Sequence, residues 1–154
     1  MVKPFSMGAV LTYRKRLKDQ AVSSFQLAQR ERNSAEEACI AKRNEYAALV
    51  DTLSKLEIEG ITVDEHIRYQ NRIEFVTAEL IKHEETLKKK TETVLLRRKQ
   101  LTKRRKEERA LEKLKEKQNA EYLKFIDKKE SAMLDEIALI HRGRHDSPEP
   151  DNLP

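Results

Sequence analysis

The sequence predicts an all-α protein: two long helices forming an antiparallel coiled-coil hairpin, with the second helix longer. Of its 154 residues, 38% are charged and only 5% are aromatic. Such a chain has too few apolar side chains for a compact core of ordinary size. Gly and Pro stand almost entirely near the two ends. Between the ends, apolar residues recur every three or four positions, which is typical of a coiled coil.

The first helix is predicted over about residues 6–57. Its apolar and small residues follow the coiled-coil spacing at Val10, Leu17, Ala21, Ser24, Ala28, Ala35, Ala38, Leu49 and Leu56. Polar residues interrupt this stripe at Glu31, Lys42, Glu45 and Thr52. Because the stripe is rich in alanine, we expect the two helices to approach closely and the core between them to be thin.

A turn is predicted at about residues 58–62. Gly60 is the only glycine between Ala9 and Arg142, and no proline lies in that span. Glycine just past a helix end readily takes the left-handed conformation that stops the helix. Thr62 is placed to cap the next helix, with Glu65 completing a capping box.

The second helix is predicted over about residues 63–142. Its stripe is Tyr69, Ile73, Val76, Leu80, His83, Leu87, Val94 and Leu101. Short connections make neighbouring helices antiparallel, so residues whose numbers sum to about 122 should face each other. Residues 1–142 therefore form one helical hairpin. Residues 143–154, which hold Gly143 and three prolines, are predicted to be a disordered tail.

The first helix should cover the second only to about residue 117, which leaves the end of the second helix uncovered. Apolar residues continue there at Tyr122, Phe125, Ile126, Met133, Ile137 and Ile140. They could pair with the N-terminal residues in a shifted register, pair with a second copy of the chain, or dock another protein. We predict that Tyr122, Phe125, Met133 and Ile137 form a docking face.

Two basic clusters should meet in this register. The run "RRKQLTKRRK", residues 97–106, has seven Lys or Arg and no acid, and "YRKRLK", residues 13–18, has four more. We call Arg14, Arg16, Arg97, Arg104 and Arg105 the basic collar and predict that it meets an acidic partner. A solvated charged face is the alternative. Nucleic acid is disfavoured, since residues 97–106 contain no aromatic side chain and no basic-region-plus-zipper layout is present.

Several kinds of site are not expected. With three glycines in the chain, no glycine-rich phosphate loop is possible. His141 and His145 flank Gly143 near a helix end, which makes a poor metal site. We therefore predict no enzyme activity, no metal, no cofactor and no small-molecule ligand. The single cysteine, Cys39, and the lack of a signal or membrane-spanning segment predict a soluble cytoplasmic protein.

The chain resembles the flagellar export protein FliJ family and its injectisome YscO-like stalk relatives from about Phe5 to Arg142. The opening "FSMGAVLTYRKRLKDQAVSSFQLAQ", the turn "EIEGITVDE" and the following "YQNRIEFVTAEL" are similar to the family pattern. So are "KEERALEKLKEKQNAEY" and "ESAMLDEIA" near the C-terminal end. Each motif is weak alone, but their order and spacing together are fairly specific.

The resemblance implies a coiled-coil stalk of the flagellar type III export apparatus, peripherally associated with the inner membrane at the flagellar base through its partners. It implies insertion into the export ATPase hexamer, with the basic collar at that end, a link to the export gate protein FlhA, and handling of export chaperones. The family's gate contact corresponds here to Val76 and His83. Arg72 and Glu79 depart from the family's apolar or small residues. A generic coiled-coil scaffold and a basic nucleic-acid-binding rod are the alternatives.

Overall fold

The computed structural model describes residues 4–145 as two α-helices and a short turn. Helix α1 spans Gly8–Glu59 and helix α2 spans Val63–His145. No strand is present within the described residues. The predicted two-helix fold with a longer second helix is confirmed. Neither helix has a stretch apolar enough to cross a bilayer within residues 4–145.

The helix ends differ slightly from the predicted ones. Helix α1 begins and ends about two residues later than expected. Helix α2 runs through Gly143 to His145, beyond the expected end near residue 142. One glycine costs a helix only about 1 kcal/mol, and the next proline is Pro148. The rest of the predicted disordered tail, from residue 146, lies outside the described residues.

The turn has the local chemistry that its residues predict. Gly60 takes a φ of +102°, in the left-handed region that favours glycine, and its N–H donates to the Leu56 carbonyl at 2.9 Å. The Thr62 hydroxyl accepts from the Glu65 N–H at 3.3 Å, which is the first half of the predicted capping box. These bonds satisfy backbone groups that helix ends otherwise leave unpaired.

The chain divides into two compact units. The larger, residues 13–107, is an antiparallel hairpin, as its interhelical side-chain contacts demonstrate. His66 pairs with Glu57, Lys90 with Glu31, and Arg14 with Glu107. Residue numbers rise along one helix as they fall along the other, with sums near the predicted value of 122.

The core of this hairpin unit is thin. Its buried apolar side chains are Ala28, Cys39 and Leu53 of α1, and Val76 and Leu101 of α2. Only Cys39 and Val76 are completely buried. The rest of the predicted α2 stripe, from Tyr69 to Val94, is half-buried. The interface between the helices is therefore narrow, and much of it is polar.

Most of the predicted α1 stripe lies at the interface. In the hairpin unit, the stripe residues from Leu17 to Leu56 are buried or half-buried. The prediction left out Cys39 and Leu53, which are buried next to half-buried Ala38 and exposed Thr52. In the smaller unit, Leu11 is buried and Val10 is exposed.

The smaller unit combines residues 4–12 with residues 108–145. Leu11 and Glu108 are buried in it. Phe5 and Ser6 border a shallow depression together with Leu114, Lys117, Gln118 and Glu121, so the N-terminal segment covers this part of α2. Every residue from Asp127 to His145 is exposed.

Candidate functional site

An exposed apolar stripe runs along the C-terminal part of α2. Tyr122 and Ile126 are half-buried, whereas Met133, Ile137 and Ile140 are exposed. At 100° per residue these five side chains share one face of the helix. We call this set the apolar stripe. No other part of the described chain covers it beyond Ile126.

Phe125 and Leu134 lie on either side of the stripe, and Leu139 is on the opposite face of the helix. They are 60%, 66% and 67% exposed. Phe125 was predicted as a docking residue, and the structure places it at the edge of the stripe. Leu134 and Leu139 were missed, because the sequence reasoning followed a single line of three- and four-residue steps. Their hydrophobicity was the available signal.

The basic collar divides into paired and exposed arginines. Arg14 Nη1 donates to Glu107 Oε2 at 2.7 Å, and Arg104 Nη1 donates to the same oxygen at 3.1 Å. The hydrogen bond from Arg104, together with the positive charges of Arg14 and Lys103, lowers the pKa of Glu107. These two arginines are half-buried, so they serve the hairpin itself.

The other three collar residues differ among themselves. Arg97 is half-buried and donates to Gln100 Oε1 at 3.1 Å. Arg16 and Arg105 are exposed. The collar is therefore not a uniform ring of free charge. Sequence reasoning missed Glu107 as the shared acid, although its number and that of Arg14 sum to nearly 122.

The two predicted gate residues lie at the interface between the helices. Val76 is completely buried and His83 is half-buried. Their positions favour a packing role, particularly for Val76. The residues that depart from the family pattern are also engaged: Arg72 Nη2 donates to Glu45 Oε1 at 2.6 Å, and Glu79 pairs with Lys42.

Lys42 is the centre of an ion-pair cluster at this interface. Its Nζ lies 2.5 Å from Glu79 Oε2 and 3.1 Å from Glu45 Oε2. The hydrogen bond to Glu79, followed in size by the one to Glu45, raises the pKa of Lys42. The hydrogen bond from Lys42 lowers the pKa of Glu45. The cluster explains how charged Lys42 and Glu45 can interrupt an apolar stripe without separating the helices.

A further exposed apolar surface adjoins the turn. Ile58 is 87% exposed and Val63 is 74% exposed. Both belong to the hairpin unit and flank Gly60 on either side. The sequence reasoning treated this segment only as a connection and did not consider it as a surface. Aliphatic side chains at the two helix ends beside the turn were the signal.

The chemistry of these surfaces is that of binding. Within residues 4–145, no group of three or more His, Cys, Asp or Glu side chains could hold a metal ion. The carboxylates with shifted pKa values, Glu45 and Glu107, are shifted downward by ion pairs. Apolar and charged side chains on helix faces suit protein docking.

Comparison with known proteins identifies the family. The model of the flagellar FliJ protein family matches residues 3–147. A solved structure of a YscO homolog from Chlamydia trachomatis is similar with a TM-score of 0.50 and 26% sequence identity, covering 97% of this chain and 100% of that one. No curated protein matches the chain at a significant level. The match over nearly the whole sequence favours an export stalk over a generic scaffold or a nucleic-acid-binding protein. FliJ proteins are non-catalytic stalk proteins of flagellar type III export, and this chain belongs to their family.

Proposed function

We propose that this chain inserts one end into the ring of the export ATPase hexamer and links that ring to the export gate protein FlhA. The observation that carries the proposal is the apolar stripe of α2, uncovered within the described residues from Asp127 onward. The proposal extends to handling of export chaperones and to peripheral association with the inner membrane through these partners.

The apolar stripe suits the ATPase contact. Met133 is 64% exposed and Ile137 is 47% exposed. Complete burial of a side chain of this kind contributes about 1.5–3 kcal/mol, and a few such residues commonly dominate an interface. Two or three anchors on one helix face are therefore enough for a specific contact. The exposed collar residues Arg16 and Arg105 would add charge attraction to an acidic rim.

The hairpin turn suits the gate contact. Ile58 and Val63 are exposed beside Gly60, and His83 is half-buried in the same unit. Val76 is buried, so we assign it to packing and transfer the direct contact to the exposed residues of the turn. This choice places the gate contact at the end of α1 and the start of α2.

The ATPase contact is tested by replacing two stripe residues. Met133→Ser with Ile137→Ser should lower stimulation of the export ATPase and weaken its binding about 10-fold or more, because apolar contact area is lost. The matched control, Lys128→Ser with Asp135→Ser, changes the opposite face and leaves the net charge unchanged. It should behave like the wild type. Hydrolysis assays and binding titrations measure both effects.

Two results would count against this assignment. Equal losses in the stripe and control variants would mean that the helix face does not matter. Unfolding of the stripe variant, seen as lost helicity by circular dichroism, would mean that Met133 and Ile137 belong to a core. Because both residues are exposed, we expect helicity to be retained.

A further inference from the structure

In the run "RRKQLTKRRK", arginines and lysines occupy different positions of the coiled-coil repeat of α2. Arg97 and Arg104, seven residues apart, are half-buried at the helix interface. Lys99, Lys103 and Lys106 are exposed. Arginine has a planar group with five donors that suits fixed ion pairs, whereas lysine is a mobile point charge. The lysines therefore lie on a different surface from Arg97 and Arg104.

That surface continues toward the N-terminal end of α2. The three outward-facing positions of the coiled-coil repeat, from Ile81 to Lys106, are exposed throughout. We call them the lysine strip. Its members are Ile81, Lys82, Glu85, Lys88, Lys89, Glu92, Leu95, Leu96, Lys99, Thr102, Lys103 and Lys106. The strip spans about 37 Å of helix at 1.5 Å per residue.

The charge of the strip is strongly unbalanced. It holds six lysines against two glutamates and no arginine. Within the described residues, no salt bridge uses any of these six lysines. A row in which cations outnumber acids three to one on one helix face attracts an anionic surface.

Apolar side chains lie among these lysines. Ile81, Leu95 and Leu96 are each slightly more than half exposed. Lys99, Thr102, Lys103 and Lys106, with Arg98 and Glu107 at the edge, also line a shallow depression of about 480 Å³. The strip thus offers both charge and exposed hydrocarbon to whatever contacts it.

We propose that the lysine strip binds directly to the surface of an anionic phospholipid bilayer. Lysines near an anionic surface each add attraction without needing fixed partners. Apolar residues at the same level can enter the boundary between headgroups and acyl chains, as they do in interfacial helices. The inference goes beyond the stalk function, in which membrane association runs through protein partners.

Other anionic partners fit the strip less well. Single-stranded nucleic acid is bound with aromatic stacking, and the strip has no aromatic residue. A phosphate backbone would leave Leu95 and Leu96 in water. An acidic protein is better recognised by arginine forks, and the arginines of this run lie at the interface or its edges. A lipid surface uses both the lysines and the leucines.

Vesicle binding tests the proposal with the full chain. The strip variant carries Lys88→Gln, Lys99→Gln, Lys103→Gln and Lys106→Gln. The control variant carries Lys115→Gln, Lys124→Gln, Lys128→Gln and Lys129→Gln, which are also exposed lysines of α2. Both variants lose the same net charge. Binding is measured by co-sedimentation with phosphatidylcholine vesicles that contain about a third phosphatidylglycerol.

We expect the wild type to bind these vesicles and not pure phosphatidylcholine vesicles. The strip variant should lose affinity on the order of 100-fold, and the control less than about threefold. Leu95→Ser with Leu96→Ser should weaken binding while its salt dependence persists. Circular dichroism checks that each variant remains helical.

Four outcomes would overturn the proposal: no binding of the wild type to anionic vesicles, equal losses in the strip and control variants, tighter binding of the wild type to duplex DNA than to vesicles, or unchanged vesicle binding by the strip variant. A strip variant that loses vesicle binding but still stimulates the export ATPase would separate this proposal from the stalk function. The strip shares no residue with the basic collar or the apolar stripe.

Discussion

At the scale of single residues, Glu107 controls how much of the basic collar is available to a partner. One of its oxygens accepts from both Arg14 and Arg104. Charge-assisted hydrogen bonds of this kind are stronger than neutral ones, and here they connect the two helices of the hairpin unit. An acidic partner would have to compete with Glu107 for these arginines, whereas Arg16 and Arg105 are already exposed.

The lowered pKa of Glu107 makes a prediction about acid stability. Its folded-state pKa lies below the ordinary value of 4.5. A lowered carboxyl pKa contributes stability above the unfolded-state pKa, and that contribution is lost as the pH falls through the folded-state pKa. Glu107→Gln should therefore lower the melting temperature at pH 7 and lose less further stability between neutral pH and pH values below 4.5.

The control for this prediction is Glu74→Gln, which alters an exposed glutamate of α2. Its melting temperature should follow that of the wild type across the pH range, as measured by circular dichroism at 222 nm. Parallel pH curves for the Glu107→Gln variant and the wild type would show that the bonds from Arg14 and Arg104 add no pH-dependent stability.

At the scale of helices, the hairpin depends on a few completely buried side chains. Val76 is 0% exposed and belongs to a core with only one other completely buried residue, Cys39. The ion-pair cluster around Lys42 lies on the same interface. In so thin a core, few neighbouring side chains can move to fill the space that a lost methyl group leaves. The free energy of unfolding should therefore fall by almost the full contribution of that group.

Two matched substitutions separate packing from gate binding. Val76→Ala should destabilise the hairpin by about 2 kcal/mol and leave FlhA binding unchanged at temperatures where the variant is folded. Val63→Ala, at a 74% exposed position, should scarcely change stability but weaken FlhA binding. Urea denaturation and a binding titration measure the two quantities. The reverse pattern would return the gate contact to Val76.

The sequence predicts the helices better than it predicts their faces. Gly60 and Thr62 locate the turn because their backbone requirements are local. The phase of α1 is harder, since Lys18 and Arg32 occupy interface positions and hide the series that contains Cys39 and Leu53. An adjacent series looked equally apolar. Only packing against the partner helix decides between the two.

The difficulty of assigning each residue to a helix face also limits prediction of the candidate surfaces. The apolar stripe is visible in the sequence, because the first helix is too short to cover it. The division of the basic collar is not, because consecutive arginines and lysines look alike until the helix face of each is known. The exposure of Ile58 and Val63 depends on how tightly the turn closes, which composition does not reveal.

At the scale of the whole molecule, the net charge of +5 affects its encounters with partners. Long-range attraction speeds association and tolerates imperfect alignment. It is screened by salt over a Debye length of about 8 Å at physiological ionic strength. The proposed collar contact with the ATPase ring should therefore depend on ionic strength, whereas the proposed contact through the apolar stripe should depend on it much less.

Charge reversal tests this difference. Arg16→Glu with Arg105→Glu should weaken ATPase binding about 2- to 30-fold, since each exposed pair contributes about 0.2–1 kcal/mol. Salt at about 0.5 M should reduce wild-type binding similarly. The matched control, Arg30→Glu with Arg68→Glu, reverses two exposed arginines of the hairpin unit outside the collar. Binding that survives both the collar reversal and the salt would make the collar a solvated face.

The pairing of the two helices about Gly60 also limits which insertions and deletions the protein tolerates. Deleting one residue from α1 would rotate everything before it by about 100° and carry Arg14 away from Glu107. Insertions within the hairpin should be tolerated only in multiples of seven residues, added to both helices at equal distances from the turn. Single-residue insertions and deletions should instead accumulate in the described part of α2 beyond Ile126, where no partner helix fixes the phase. There they would reorient the apolar stripe while leaving the hairpin unchanged.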